Sequence, residues 1–266
     1  MRFRSLSELD RPKPKEVILA TLPQEISMAL YAKAKAFKIN ELVREIHQES
    51  YEWYGFTLAD KKNPGLIADI GLPKNDQNLK DATTLSPERI AEYYESLPED
   101  RLINGWIHSH GALKYKHFSQ TDEENQATVL DFVTARLRWV VAKKEVPIED
   151  LNMLVKGEFE EKELAKGSIS LITDGVISEA TIMETIYGGF CYSIVIDDEG
   201  WHQQEIHYKE RGVLSGYSMV NKKSSTIVFI DNGKPFTEAD ILVLSKEVEE
   251  KIQPNTNPPP ELIERM

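Results

Sequence analysis

The chain has 266 residues, a formal net charge of −12, 41% hydrophobic residues and 29% charged residues, a balance typical of a globular protein with a sizeable core. Its acidity argues against a nucleic-acid partner, because binding phosphate requires a basic surface. The single cysteine, Cys191, excludes an internal disulfide and a cysteine-rich structural zinc site.

No targeting or membrane segment is recognisable in the sequence. The first residues, MRFRSLSELDRPKPKE, lack the apolar core of a signal peptide. No apolar stretch reaches the roughly 18 residues that a membrane helix needs. We therefore expect a cytoplasmic protein without a membrane partner.

The N-terminal part of the chain alternates helical and strand patterns. Residues 1–24 are expected to form an appendage. Apolar residues at helical spacing predict a helix over 32–48, and aromatic and β-favouring residues predict a strand over Tyr51–Ala59. Residues 60–82 are polar and contain several Pro, Asn and Asp, which indicates a loop that could include a short strand, Leu66–Ile70.

One carboxylate in the first of these strands is unusual. Alternation places Glu52 on the same face as Tyr54 and Phe56. A carboxylate on an apolar face costs free energy unless something pairs with it. The alternative interpretation is a solvent-facing Glu52, since this strand is aromatic on both sides.

The middle of the chain is predicted to contain a strand between two helices. Ser86-Pro87 opens a helix over 87–96, and an apolar run predicts a strand over Leu102–His110. A long helix follows from Thr121 to about Trp139, with acids in its first turn and arginines near its end, as the helix dipole favours. Residues 140–166 are interpreted as an insertion.

The C-terminal part of the chain is rich in strand patterns, and its proline-rich tail from Gln253 onward is expected to be flexible. The predicted elements are a strand over Ser168–Thr173, a hairpin of Phe190–Ile196 and Trp201–Tyr208, a strand over Thr226–Ile230, and a helix over 235–252.

The segment with the strongest chemical signal is Gly105–Asp122, which contains His108-Ser109-His110 at the end of a strand. Residues two apart on a strand point to the same face, so both imidazoles aim at one point. Asp122 can add a carboxylate from the first turn of the following helix. Two His and one carboxylate, with a coordination position left open, form a ligand set for catalytic zinc.

Each part of this pattern also has a structural explanation. A His-x-His pair alone is more often structural than metal-binding. Ser119-x-x-Asp122 resembles a helix capping box, which would stabilise the helix start without any metal. His47, His117, His202 and His207 show no ligand spacing and are interpreted as surface or core residues, and Cys191 as a small buried residue.

Taken together, these residues resemble the JAMM metalloprotease motif of MPN-type (JAB) domains. The resemblance rests on Glu52-x-x-Gly55, on Trp106 to His110 and on Phe118 to Asp122, and it extends from about residue 26 to 210. Two departures are present: Gly111 stands where the family usually has Pro, and eight residues rather than seven separate His110 from Ser119.

The resemblance implies a fold and a domain organisation. The fold would be α/β of the cytidine-deaminase-like MPN type, with a curved mixed β-sheet flanked by helices and with the strands of Glu52 and His108 adjacent or nearly so. Residues 25–232 would form the catalytic domain, including the insertion, and residues 233–266 a C-terminal helix and tail.

The resemblance also implies an activity. Zn²⁺ would be bound by His108, His110 and Asp122, Glu52 would be the general acid/base, and Ser119 would help to stabilise the tetrahedral intermediate. The substrate would be an amide or isopeptide bond at the C-terminus of a ubiquitin-like or sulfur-carrier-like protein. The first alternative is a metal-free MPN-like scaffold, which would bind partners and catalyse nothing. The second is a barrel-type metal-dependent amidohydrolase, which is discounted because too few residues follow His110 to form the rest of a barrel.

Overall fold

The computed structural model of the protein describes residues 15–75, 85–112, 116–148 and 180–254. The described residues divide into two compact units. The smaller unit contains 15–21, 140–148, 180–187 and 211–218, and the larger unit contains the rest. The predicted strand over Ser168–Thr173, most of the predicted insertion, and the tail beyond Pro254 lie outside the described residues.

Strands outnumber helices in the described chain. In chain order the elements are β1 (Glu16–Ile18), β2 (Ile26–Ala29), α1 (Leu30–His47), β3 (Trp53–Asp60), β4 (Leu66–Ile67), β5 (Asp69–Gly71), α2 (Pro87–Glu95), β6 (Arg101–Ser109), α3 (Gln120–Arg136), β7 (Trp139–Ile148), β8 (Ala180–Ile196), β9 (Trp201–Gly212), β10 (Ser218–Ser224), β11 (Ile227–Ile230) and α4 (Glu238–Lys251).

The larger unit is built on a mixed sheet whose central strands run in the order β8-β6-β3-β5. Strand β6 is parallel to β8 and antiparallel to β3. Strand β9 pairs with β8, and β10 pairs with β9. A second, parallel sheet has the order β11-β2-β4. The predicted α/β class with a mixed sheet is therefore confirmed, as is the expectation that the strand of Glu52 and the strand of His108 lie adjacent or nearly so, since β3, which begins directly after Glu52, pairs with β6.

Helix α3 packs on β6 and places the site on the sheet. It contacts β6 and α2, while α1 contacts β5 and α4. The apolar face of α3 buries Val129, Leu130 and Val133, each of which contributes about 1.5–3 kcal/mol relative to an exposed side chain. In the part of the chain that is described, no helix is both long and apolar enough to cross a bilayer.

The smaller unit contains an antiparallel pair of strands. Strand β1 pairs with β7, with Val17 opposite Lys143. The carboxylate of Glu184 is buried and accepts hydrogen bonds from the backbone N–H groups of Leu214 and Ser215. This side chain therefore fixes the turn that follows β9.

Several predicted boundaries differ from those of the structure. Helix α3 ends at Arg136 rather than near Trp139. Trp139 begins strand β7, because the aromatic and β-branched run Trp-Val-Val favours extended backbone. Strand β8 begins ten residues before the predicted Phe190. Strands β2 and β10 were not expected, since β2 has only four residues and β10 is exposed along its whole length.

Candidate metal centre

The end of β6 presents two imidazoles on one side of the sheet. His108 and His110 are separated by Ser109, and both are buried, with 0% and 2% exposure. The backbone N–H of His110 donates to the Ile196 carbonyl at 2.9 Å, which extends the alignment with β8 past the last residue of β6. Strand alternation therefore brings the two rings together as the sequence predicts.

The start of α3 supplies the carboxylate. Ser119 caps the helix: its Oγ accepts a hydrogen bond from the N–H of Asp122, and Asp122 Oδ2 accepts one from the N–H of Ser119 at 2.7 Å. The capping box suggested by the sequence is thus present. The capping box uses only part of the hydrogen-bonding capacity of the Asp122 carboxylate, because both of its oxygens also face the histidines.

The three side chains converge on one point through their Nε2 and Oδ atoms. His108 Nε2 lies 3.1 Å from His110 Nε2 and 3.2 Å from Asp122 Oδ1, and His110 Nε2 lies 3.4 Å from Asp122 Oδ2. A tetrahedral ion about 2.1 Å from each ligand atom holds those atoms roughly 3.4 Å apart. A buried group of this kind could bind a metal ion, although imidazole and carboxylate suit several metals besides zinc.

The protonation states also suit a metal. Burial lowers the pKa of His108 and outweighs the neighbouring Asp122 carboxylate, so the imidazole is neutral at neutral pH. Burial alone would raise the pKa of Asp122, but hydrogen bonds from His108 and His110 hold it well below its usual range. Neutral imidazoles and an ionised carboxylate are the forms that coordinate metals.

Glu52 lies at the same end of the sheet. It immediately precedes β3 and is 6% exposed, so the alternative of a solvent-facing side chain is wrong. Trp53 is paired with Ser109, and continuing this register by one residue brings Glu52 opposite His110. Directly opposed residues of antiparallel strands share a face. The continued register therefore assigns the buried carboxylate to the same face of the sheet as the imidazole pair.

The turn after His110 explains one departure from the family pattern. Gly111 has φ +55°, in the left-handed region that Gly adopts easily and that the fixed φ of Pro excludes. Its N–H donates to Ser109 Oγ at 3.0 Å, and its carbonyl accepts from the N–H of Asp198. The backbone here has a conformation that a Pro could not take. Part of the longer spacer, residues 113–115, lies outside the described residues.

Two of the remaining histidines contact carboxylates other than Asp122, and the cysteine is buried in the core. His207 Nε2 lies 3.0 Å from Glu205 Oε2, and His202 contacts Asp197. His117 is exposed. Cys191 is fully buried, and this burial raises the pKa of its thiol to about 12. The interpretation of Cys191 as a small buried residue is confirmed.

Two features of the site were missed from the sequence. The side-chain amide of Asn75 bonds to both the N–H and the carbonyl of Tyr54, and so pairs with the backbone of β3 two residues along the chain from Glu52. The indole of Trp106 stacks on His108. Alternation along β6 could have indicated the Trp106 contact, since the two residues share a face. No sequence spacing identifies Asn75.

Comparisons with known proteins do not classify the chain: no family model matches it, and no curated protein matches it significantly.

Proposed function

We propose that this protein is a zinc-dependent hydrolase of the JAMM type with an MPN fold, which cleaves a peptide or isopeptide bond. The observation that carries the proposal is the buried convergence of His108, His110 and Asp122 within 3.1–3.4 Å of one another. Hydrogen bonding alone explains this convergence poorly, because two imidazole nitrogens and a carboxylate that meet at one point are stabilised more by a shared cation. The buried Glu52 at the same sheet end is the further support.

The residues divide the chemistry of hydrolysis among them. His108, His110 and Asp122 would hold the zinc ion, which would polarise the scissile carbonyl and lower the pKa of the attacking water toward 7. The Glu52 carboxylate takes a proton from the attacking water as the new C–O bond forms, and transfers it to the leaving nitrogen as the C–N bond breaks. Ser119 Oγ accepts the capping hydrogen bond and keeps its O–H as a donor for the developing oxyanion.

The substrate class rests on the resemblance of the motif alone. We propose the C-terminal extension of a ubiquitin-like or sulfur-carrier-like protein, joined through a peptide or isopeptide bond. The second candidate function is a metal-free scaffold. The capping box favours it, since Ser119 and Asp122 stabilise the helix start without an ion.

Metal content and cleavage together test the proposal. The purified wild type is expected to hold one zinc per chain, and His108→Ala and His110→Ala are each expected to lose it, by elemental analysis. Glu52→Gln is expected to retain zinc and to lose about 100-fold to 10,000-fold in cleavage rate. The substrates are ubiquitin-like proteins with a C-terminal peptide or isopeptide extension, assayed with and without chelator.

The outcomes separate enzyme from scaffold. Full zinc retention in both histidine variants would refute the ligand assignment. Chelator-sensitive cleavage that survives in Glu52→Gln would remove Glu52 from the mechanism. A wild type that holds no zinc and cleaves none of these substrates would favour the scaffold.

A further inference from the structure

The His108 ring lacks the hydrogen bond that usually fixes a metal-binding imidazole. Such histidines normally donate their second ring N–H to a carboxylate, a carbonyl or water, and this bond sets the ring orientation. Here Nε2 faces the site, and Nδ1 is buried without a hydrogen-bond partner among the described residues. Because the imidazole torsion is broad, another contact must hold the ring.

Stacking on Trp106 provides that contact. The indole and imidazole ring centroids are 4.5 Å apart, and the planes are inclined by only 16°. Phe118 makes a second, tilted contact with the same imidazole at 5.7 Å. Trp106 and His108 are both fully buried, so the flat stack limits how far the imidazole can turn.

Trp106 is itself fixed by two hydrogen bonds to different elements. Its Nε1 donates to Oε1 of Gln126 and, at 3.1 Å, to Oγ of Ser193. Gln126 lies on α3, about one turn after Asp122, and Ser193 is the β8 residue paired with Trp106. The indole thus links the helix that carries the Asp122 carboxylate to the sheet that carries the histidines.

We propose that Trp106, held by Gln126 and Ser193, is the positioning residue of the metal centre: its indole sets the His108 ring plane and its alignment with Asp122. This inference rests on the proposed metal-binding function. Trp106 contacts a ligand rather than the reacting atoms. It replaces a hydrogen bond to His108 Nδ1 with a ring stack.

The test measures metal affinity and geometry, not activity. Trp106→Leu removes the stack and is expected to weaken zinc binding about 10–100-fold, as loss of outer-shell support typically does. Zinc affinity is measured by competition with a chromophoric chelator. The same variant is also expected to change the visible d–d spectrum of the Co²⁺-loaded protein, which reports ligand geometry. Trp106→Phe restores a ring, and its affinity and spectrum are expected to lie nearer the wild type.

The matched control is Trp53, also fully buried and also bonded through Nε1, to Asn40 Oδ1 at 2.6 Å. It pairs with Ser109 and therefore lies on the opposite face from His108. Trp53→Leu and Trp53→Phe are expected to lower stability but to leave zinc affinity and the Co²⁺ spectrum unchanged.

The results distinguish a positioning role of Trp106 from a merely structural one. If the wild type binds metal and the Trp106 and Trp53 variants shift affinity equally, Trp106 is only structural and the proposal is wrong. If Trp106→Leu does not fold, Gln126→Leu decides: it removes one of the two hydrogen bonds that hold the indole and is expected to alter the Co²⁺ spectrum, and an unaltered spectrum would overturn the proposal. A wild type that binds neither ion overturns the proposed function and this inference with it.

Discussion

At Asp122 a single carboxylate has two sets of neighbours. Oδ2 accepts the N–H of Ser119 as part of the capping box, and the two oxygens together face His108 and His110. The capping and metal-binding interpretations of the sequence are therefore compatible. Asp122, in the first turn of α3, both completes the helix cap and completes the cluster of three side chains.

Asp122→Asn separates these roles. The amide keeps the side-chain shape but loses the charge and one acceptor. Elemental analysis is expected to show loss of stoichiometric metal. Urea denaturation of the metal-free protein is expected to show an unfolding free energy lower by about 0.5–2 kcal/mol, because the cap is weakened.

Helix α4 offers the matched control. Thr237 and Asp240 form the same reciprocal capping box, with the N–H of Thr237 donating to Asp240 Oδ2 at 2.8 Å. The other oxygen, Oδ1, accepts from the hydroxyl of Tyr31 rather than facing a pair of imidazoles. Asp240→Asn is expected to weaken its own helix cap and to retain the metal. If Asp122→Asn also retains it, Asp122 is only a helix cap.

The turn after β6 is constrained by its own backbone conformation and by a neighbouring side chain. Gly111 combines φ +55° with a close neighbour, since a Cβ there would lie 2.5 Å from Ser50 Oγ. Ser50 Oγ in turn donates to Asp198 Oδ2 at 3.1 Å. The backbone conformation and the packing both select glycine at the residue that follows His110.

Gly111→Ala is expected to destabilise the protein by more than the backbone cost alone, which is about 1–2 kcal/mol for a left-handed L-residue. Gly216→Ala is the control, because Gly216 has φ +70° and no atom within 4 Å of its Cβ position. Urea denaturation should give the larger loss for Gly111→Ala. Equal losses would show that the Ser50 contact yields without cost.

The elements differ in how well local sequence specifies them. Helix α2 could be predicted because Ser86 is a side-chain cap whose chemistry is local. Helix α3 could be predicted because its apolar residues recur at helical spacing behind an acidic first turn. The first ten residues of β8 were missed, since Glu184 and the pair Gly188-Gly189 disfavour a strand locally. Their extended conformation is set by tertiary contacts.

The site shows the same division. The histidines and Asp122 were found because strand alternation and a helix start place ligands at fixed sequence spacing. Trp106, Gln126 and Ser193 come from three elements of the fold. Their convergence depends on strand order and helix packing, which no local spacing contains.

At the scale of the whole molecule, an acidic chain holds several ionised carboxylates in buried positions. The pKa values of Glu184, Asp197 and Glu205 are all lowered, for Glu205 chiefly by the hydrogen bond with His207. A carboxyl group whose pKa is lower in the folded state stabilises the protein above its unfolded pKa, about 4.3 for Glu, and that stability is lost as pH falls through the folded pKa. The protein is therefore expected to lose stability below about pH 4.

Glu184 is the sharpest test of this acid sensitivity. Burial would raise its pKa, but bonds from the Ser215 hydroxyl at 2.6 Å and from the N–H groups of Ser215 and Leu214 lower it. Glu184→Gln is expected to cost about 1.5–3 kcal/mol at pH 7, the usual contribution of hydrogen bonds to a charged group. The difference from wild type should shrink as pH falls from 5 through the unfolded Glu pKa of about 4.3, because the unfolded carboxylate then takes up a proton that the native carboxylate, with its lowered pKa, resists. The amide does not titrate. Urea denaturation across this range measures the difference, with the exposed Glu16→Gln as control. A difference that stays constant with pH would mean that packing around Glu184, rather than its charge, stabilises the turn after β9.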